Sequence, residues 1–338
     1  MANEILFAGG RLDSVTLVAG TPTEDTTAGS FDSTYADCSL FMSSAVTISY
    51  NFKNSSFADT DVVTGETGYV HFEFYKTGGT VSTGAIIAGL YDSSGFPWLA
   101  IRAVAADSHG LYYNSGTGAS PVWTLLGSAW SVSSTVRYKY DLKYTLGSPH
   151  SAEVSLDNSL VAGPVTFTQA SLTSVRSVRH TGHTTSFNTR ISQLMASRGI
   201  STINGKVKYS RASGAGTNSG WTGAYTNVNE AVNSDATVDS TTSAGVKQTY
   251  AMGDVTVPTG FAIKAVFHFL RAKNDGSSPS NIKSTLRSAS TDYSSGNLSG
   301  IGTSFGAIGM RYDNDPATSS PWTQSGWNAA EAGYESAA

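Results

Sequence analysis

Between Val46 and Asn158 the chain runs in short segments where apolar and polar residues alternate: VTISYNF (46–52), YVHFEFYK (69–76), IIAGLYD (86–92), WLAIRAVA (98–105), HGLYYNS (109–115), VRYKYDLKY (136–144) and SAEVSLDN (151–158). A period of two recurs and a period of 3.6 does not, which predicts strands. In 136–144, Val136, Tyr138, Tyr140, Leu142 and Tyr144 share one face while Arg137, Lys139, Asp141 and Lys143 share the other. One face is therefore expected in a core and the other in water. Residues 76–79, 92–95, 114–118 and 156–158 supply Gly, Asn or Asp where a turn needs positive φ. Short strands at this spacing predict a β-sandwich.

A second block opens near Ile200, with KVKYS (206–210), SGAG (213–216), WTGAYTNVNE (221–230), KQTYAM (247–252), AIKAVFHFLRAK (262–273), NIKSTLRS (281–288) and FGAIGMRY (305–312). In 262–273, Ile263, Ala265, Phe267 and Phe269 alternate with Lys264, Val266, His268 and Leu270. That pattern predicts a central strand covered on both faces. The C-terminus alone reads as helix: after Pro321, with Thr323 or Ser325 as cap, Trp327, Ala330, Glu331 and Tyr334 fall at i, i+3, i+4 and i+7. The first 40 or so residues are weakly patterned, and are expected either as an edge strand closing the first sandwich or as an arm reaching a neighbouring subunit. The expected fold is all-β, two β-sandwich (jelly-roll-like) domains with a short C-terminal helix. Domain 1–200 carries the arm and domain 201–338 ends in the helix, with a soft boundary at about 195–215.

Composition agrees with strands and narrows the function. The 338 residues include 35 Gly, only 14% are charged and 39% are hydrophobic. Gly, Ser and Thr disfavour helix interiors, and the apolar fraction is too high for disorder. A net charge of −4 gives no basic field for phosphate backbones, so no nucleic-acid partner is expected. The single cysteine, Cys38, has no disulfide partner. The start MANEILFAGGRL lacks a basic and then apolar leader, and no run nears the roughly 18 apolar residues of a membrane span. The expectation is a protein made in a reducing cytosol, without membrane insertion.

Candidate chemistry is sparse. His180 and His183 sit three apart, a spacing that sends strand side chains to opposite faces, with no further metal-site residue following. Residues 302–306 match G-x-S-x-G but lie in an all-β run, without the strand-to-helix turn that motif requires. Glu66, Glu73, Glu153 and Asp157 do not group as an acid/base pair, and Asp157 reads as a hairpin residue. Asp235 and Asp239, or Asp313, Asn314 and Asp315, lack the spacing of a Ca²⁺ loop and read as solvated turns. No catalytic residue, metal site or cofactor is therefore expected. Five aromatic residues placed beside loop signals, Trp98, Trp123, Trp221, Tyr225 and Trp322, are the candidates for stacking on a sugar or a partner.

Residues 90–101 (LYDSSGFPWLAI), 138–142 (YKYDL) and 152–158 (AEVSLDN) resemble the concanavalin-A-like (laminin-G/lectin) sandwich, over about residues 40–200. A second resemblance rests on the order of ISQLM (191–195), SGAG (213–216), WTGAYTNVNE (221–230), LRSASTDY (286–293), DPATSSPWT (315–323) and WNAAEAG (327–333). That order is similar to the C-terminal half of a family of tailed-bacteriophage virion proteins. In those relatives the closing segment reads Asn-Pro-x-Thr-Gly-x-x-Trp-Thr before a short helix; here Asp315-Pro316 and Ser319-Ser320 depart from it.

The resemblance implies a non-enzymatic virion structural protein, displayed as a tail or head fibre component or as a capsid decoration. Its implied partners are other virion proteins (capsid or tail), further copies of itself as a homo-oligomer, and host cell-surface glycans. The alternatives are a stand-alone carbohydrate-binding protein or glycoside hydrolase of the concanavalin-like fold, and a capsid cement with no ligand. A hydrolase needs two carboxylates about 5–9 Å apart in a cleft.

Overall fold

The computed structural model describes residues 3–43, 46–78, 82–105, 107–182, 188–276, 279–298 and 301–338. The chain forms two compact units, residues 1–54 with 58–207 and residues 55–57 with 208–338. The fold is nearly all β, built of antiparallel sheets with one short helix.

The first unit packs an eight-stranded sheet against a seven-stranded one. The larger runs Ser159–Phe167, His150–Leu156, Arg137–Thr145, Thr67–Thr77, Asn188–Arg198, Ser39–Met42 and Thr23–Asp25, with Glu4–Gly9 also paired to Asn188–Arg198. The smaller runs Trp123–Ser131, Ser108–Asn114, Pro97–Ala105, Ile86–Tyr91, Ser177–Thr181, Thr47–Asn51 and Thr16–Ala19. Period-two alternation puts Phe72, Phe74, Tyr140, Leu142 and Tyr144 of the larger sheet into the core, all at most 2% exposed. Phe72 stacks on Tyr140 at 4.9 Å and meets His180 of the smaller sheet edge-on, while His109 Nδ1 lies 2.7 Å from the Tyr140 hydroxyl. Buried rings thus meet their polar partners inside the sandwich.

The N-terminal segment takes the closing-strand alternative, since its strands enter both sheets. Arg190 pairs with Asp25 at 2.5 Å and Arg198 with Glu4 and Glu66, which fastens it to Asn188–Arg198.

The second unit holds a five-stranded sheet in the order Ala212–Ser219, Lys247–Met252, Glu331–Ala337, Asn281–Ser288 and Thr291–Ser294. Val266–Ala272 departs from expectation: among the described residues it pairs only with Gly306–Tyr312, and its residues are half-buried to exposed. Apolar residues on both faces here mark a two-stranded ribbon instead of a sheet centre.

The helix reading also needs correction. Thr323 caps Gln324–Asn328 by accepting from the Gly326 N–H at 2.9 Å, but the helix stops after one turn and Glu331–Ala337 is a strand. Glu331 and Tyr334 are therefore strand residues. A separation of four, as from Ala330 to Tyr334, satisfies both a helical and a two-residue period, and pairing on both sides decides for the strand. Trp322 and Trp327 meet edge-on at 5.7 Å in the core beside it.

Candidate functional site

The outward face of the eight-stranded sheet brings a row of polar side chains together in register. Arg137–Thr145 pairs Asp141 with His71 and Lys143 with Tyr69 on one side, and Asp141 with Ser155 and Lys143 with Glu153 on the other. Side chains directly opposite on neighbouring strands stand about 5 Å apart, so these form one surface. The alternation in 136–144 predicts this face correctly but leaves it wet; in the structure Asp141 is 5% exposed, His71 1% and Glu73 0%. Residues 199–207 cover it. Thr202 donates to Asp141 Oδ1 at 2.8 Å, Asn158 donates to Asn204 at 2.8 Å, and Lys206 reaches Glu73 at 3.5 Å.

A backbone device holds this strap. Asn188–Arg198 bulges at 192–195, where Gln193 adopts φ 54°. Its buried amide accepts from the Val207 N–H at 2.7 Å and donates to the Val207 carbonyl at 2.8 Å. A left-handed non-glycine residue costs of order 1–3 kcal/mol, and the two bonds are what the bulge gains. Burial pulls the Lys206 ammonium below the ordinary lysine value, offset in part by the charge of Glu73.

Between strap and sheet lies a cleft of about 210 Å³ lined by Tyr69, Asp141, Lys143, Glu153, Ser155, Ser201 and Ile203. Lys143 Nζ bonds Glu153 at 3.0 Å, with both side chains part-exposed. His71 Nδ1 stands 3.0 Å from Asp141 Oδ1, read as the ring N–H donating to the carboxylate. Asp141 Oδ2 is buried and has no hydrogen-bond partner among the described residues. The cleft thus offers an aromatic ring, hydroxyls, an ammonium and the part-exposed carboxylate of Glu153. Among the described residues no group of three or more His, Cys, Asp or Glu is arranged to hold a metal ion.

The residues singled out by sequence lie elsewhere, and two belong to the core. Trp98 is 3% exposed with its indole N–H donating to Asp92 at 2.8 Å, and Trp322 is 3% exposed with its N–H on the Tyr312 carbonyl at 3.3 Å. Neither has a face left for a sugar. Trp123 is half-buried on the seven-stranded sheet, where the Arg102 guanidinium lies 4.8 Å from its ring and 5.2 Å from that of Tyr112. Trp221 and Tyr225 are half-buried beside the second unit's five-stranded sheet. Trp221 meets Tyr334 edge-on at 4.7 Å, and Tyr334 and Tyr250 both donate to Asp239. Trp98 and Trp123 thus belong to the first unit, and Trp221, Tyr225 and Trp322 to the second.

The carboxylates considered for metal or catalysis are engaged. Asp235 pairs with Arg271 at 2.7 Å and Asp313 with Arg311 at 2.7 Å, while Asp315 accepts from Ser288 and the Ala317 N–H. Asp157 accepts from the Lys139 N–H and Glu66 bonds Arg198. His180 donates from Nδ1 to the Ile87 carbonyl at 3.0 Å, and His183 lies outside the described residues. Gly302–Gly306 leads into a strand. Burial pushes the Cys38 thiol up to about 12, which makes it a core residue and a poor nucleophile.

No family model matches the chain, and no curated protein does. Among solved structures it is similar to the globular domain of calreticulin from T. cruzi, at 10% identity over 57% of this chain and 87% of that one (TM-score 0.39). It is similar to an endo-β-1,4-glucuronan lyase from Trichoderma reesei, at 13% identity over 56% and 93% (TM-score 0.39). It is also similar to a carbohydrate esterase of the Shiga toxin-encoding bacteriophage phi24B, at 10% identity over 58% and 99% (TM-score 0.39).

Proposed function

We propose that the chain is a non-enzymatic structural component of a tailed-bacteriophage particle, repeated on the fibre, tail or capsid surface, and that its first unit binds glycans. The cleft on the eight-stranded sheet carries this reading. It combines a ring, hydroxyls and charged groups at a size suited to a sugar unit, while its two carboxylates are already tied to His71, Thr202 and Lys143. A glycosidase acid and base need freedom to exchange protons with substrate. The motif order from Ile191 to Gly333 supports the assignment to a virion, with other virion proteins and further copies of the chain as partners.

The His71–Asp141 contact favours a second reading, a carbohydrate-active enzyme using His71 as base. Against it stands the burial of His71 under the strap. Incubating the purified chain with a polysaccharide panel, and scoring both retention on glycan beads and new reducing or unsaturated ends, separates the two. Retention without new ends is expected; catalytic release of ends that His71→Ala abolishes would reverse the assignment. Gold-labelled antibody to the chain on intact particles is expected to decorate a repeated surface feature.

A further inference from the structure

The strands of the seven-stranded sheet contain no Asp, Glu or Lys, and two Arg, Arg102 and Arg179. Their two histidines, His109 and His180, are buried. Pairing sets Arg179 opposite Gly89, Gly89 opposite Ala100, Ala100 opposite Tyr112 and Tyr112 opposite Leu125, one row on the outward face. Arg102 shares that face two residues beyond Ala100. Of the charges beside the sheet, Arg176 pairs with Asp61, and Asp107 with Lys76. Asp92 accepts from the Ser94 and Phe96 N–H groups and from the Trp98 indole. Two guanidiniums against Asp92 leave this face one positive charge in excess, on a chain whose net charge is −4.

Neither guanidinium is paired with a carboxylate among the described residues, and both are held flat against rings. Arg179 lies 4.2 Å from the Tyr91 ring centroid, and Arg102 lies 4.8 Å from that of Trp123. Each also sits beside a turn glycine of positive φ: an added Cβ would stand 3.0 Å from Arg102 Nη2 at Gly84 and 2.9 Å from Arg179 Nη2 at Gly95. No side chain therefore covers either group from that side. Arg102 gives Nε and Nη2 to the Gly84 carbonyl and keeps Nη1 open; Arg179 has a buried Nε and two open Nη groups. A guanidinium fixed on a ring has lost its rotamer freedom already, and its planar fork matches a carboxylate. One strand separates the two residues, so they stand about 10 Å apart across the sheet, and a ligand that engages both is an oligomer with acidic groups on separate units. Leu125 and Val122, both exposed, add apolar surface beside Trp123 for sugar C–H groups.

We propose that this outward face is a second glycan surface, distinct from the cleft, and that it takes an acidic polysaccharide whose carboxylates bond the open Nη groups of Arg102 and Arg179. The choice of a glycan rests on the reading above; the acidic class rests on the two guanidiniums. A single-stranded nucleic acid fits less well, because the rings its bases need for stacking are taken by those guanidiniums.

Calorimetric titration of the full chain with oligouronates of graded length, neutral oligosaccharides of matched length and a single-stranded DNA oligomer tests this. Oligouronates are expected to bind more tightly once long enough to bridge both residues, and to weaken as salt screens the part-exposed charges. Arg102→Gln and Arg179→Gln are each expected to weaken the long oligouronate about tenfold, the usual worth of one hydrogen bond to a charged group, and to leave neutral oligomers unaffected. Arg102→Lys and Arg179→Lys keep the charge and lose the fork, so they are expected to recover part of that loss, with urea midpoints confirming that each variant is folded. Oligouronate binding that neither Gln variant moves, or DNA bound as tightly, would overturn the assignment. Neutral oligomers bound with oligouronates left unbound overturns it too, yet spares glycan binding at the cleft. No binding by any oligosaccharide overturns both.

Discussion

At the residue scale, burial separates side chains that sequence treats alike. Trp98 and Trp123 both sit beside turn signals, yet one fills the core and the other lies half-open over Arg102. Trp98→Ala is expected to cost about 3–5 kcal/mol by urea unfolding, the usual cost of emptying a large aromatic site. Trp123→Ala is expected to cost about 1 kcal/mol, mostly its cation–π contact. A reversal of that order would misplace the core. His180 makes a sharper case. Burial holds its imidazole down to about 4 against an ordinary 6.5, because the ring lies between Tyr50 and Phe72 with Nε2 unpartnered. The folded value lies below the unfolded one, so the unfolded chain binds the extra proton. Stability from the neutral ring is complete above pH 6.5 and is lost as pH falls from 6.5 to about 4, by about 3 kcal/mol. His180→Phe keeps the ring and removes the proton, so its acid-induced loss over that window, read from urea midpoints, is expected to be smaller than that of the parent chain by that amount.

At the element scale, the strand Glu331–Ala337 does the most for the second unit, lying between Lys247–Met252 and Asn281–Ser288. Its closest approach is at Gly333, where an added Cβ would stand 1.9 Å from the Gln248 carbonyl oxygen. Gly333→Ala is therefore expected to cost about 3 kcal/mol, at the upper end for overpacking, and to expose the second unit to protease while the first resists. A variant with unchanged proteolysis would mean that the sheet yields there. The same strand shows the limit of periodicity. Alternation over 69–76 and 136–144 places the core-facing residues and sheet neighbours of the first unit, because each strand has one dry face to declare itself. It misses Glu331–Ala337, where Ala332, Gly333 and Ser336 declare little and the four-residue spacing of Ala330 and Tyr334 suits a helix as well. The site escapes for a related reason. His71, Glu73 and Asp141 are visible as an outward polar row in the sequence, but the strap 199–207 that buries them follows more than 55 residues after Asp141, and its hold depends on a bulge at Gln193 that no local pattern announces.

For the whole molecule, the size of the cleft decides how the proposed attachment would have to work. About 210 Å³ falls below the roughly 300 Å³ at which sites for drug-sized ligands begin, so under the proposed glycan binding it would take little more than one sugar ring. At about 0.3 kcal/mol for each of roughly 12 heavy atoms, one ring is worth near 4 kcal/mol, a dissociation constant of about 1 mM. A single copy held that weakly leaves the cell surface quickly. Copies fixed on one particle rebind before the particle escapes, and such linkage raises apparent affinity by about 10²–10⁴ without any new contact. Binding of the isolated chain to a glycan-coated surface is therefore expected to be millimolar and rapidly reversible. The same chain displayed at particle-like density on beads is expected to reach the micromolar range or tighter on the same surface. Because the gain is multiplicative, a substitution of the exposed cleft lining such as Lys143→Ala should weaken the multivalent form by a larger factor than the single chain. Equal affinities for chain and bead would mean that repetition adds nothing, and the case for a protein that works by being repeated on a particle would lose its physical basis.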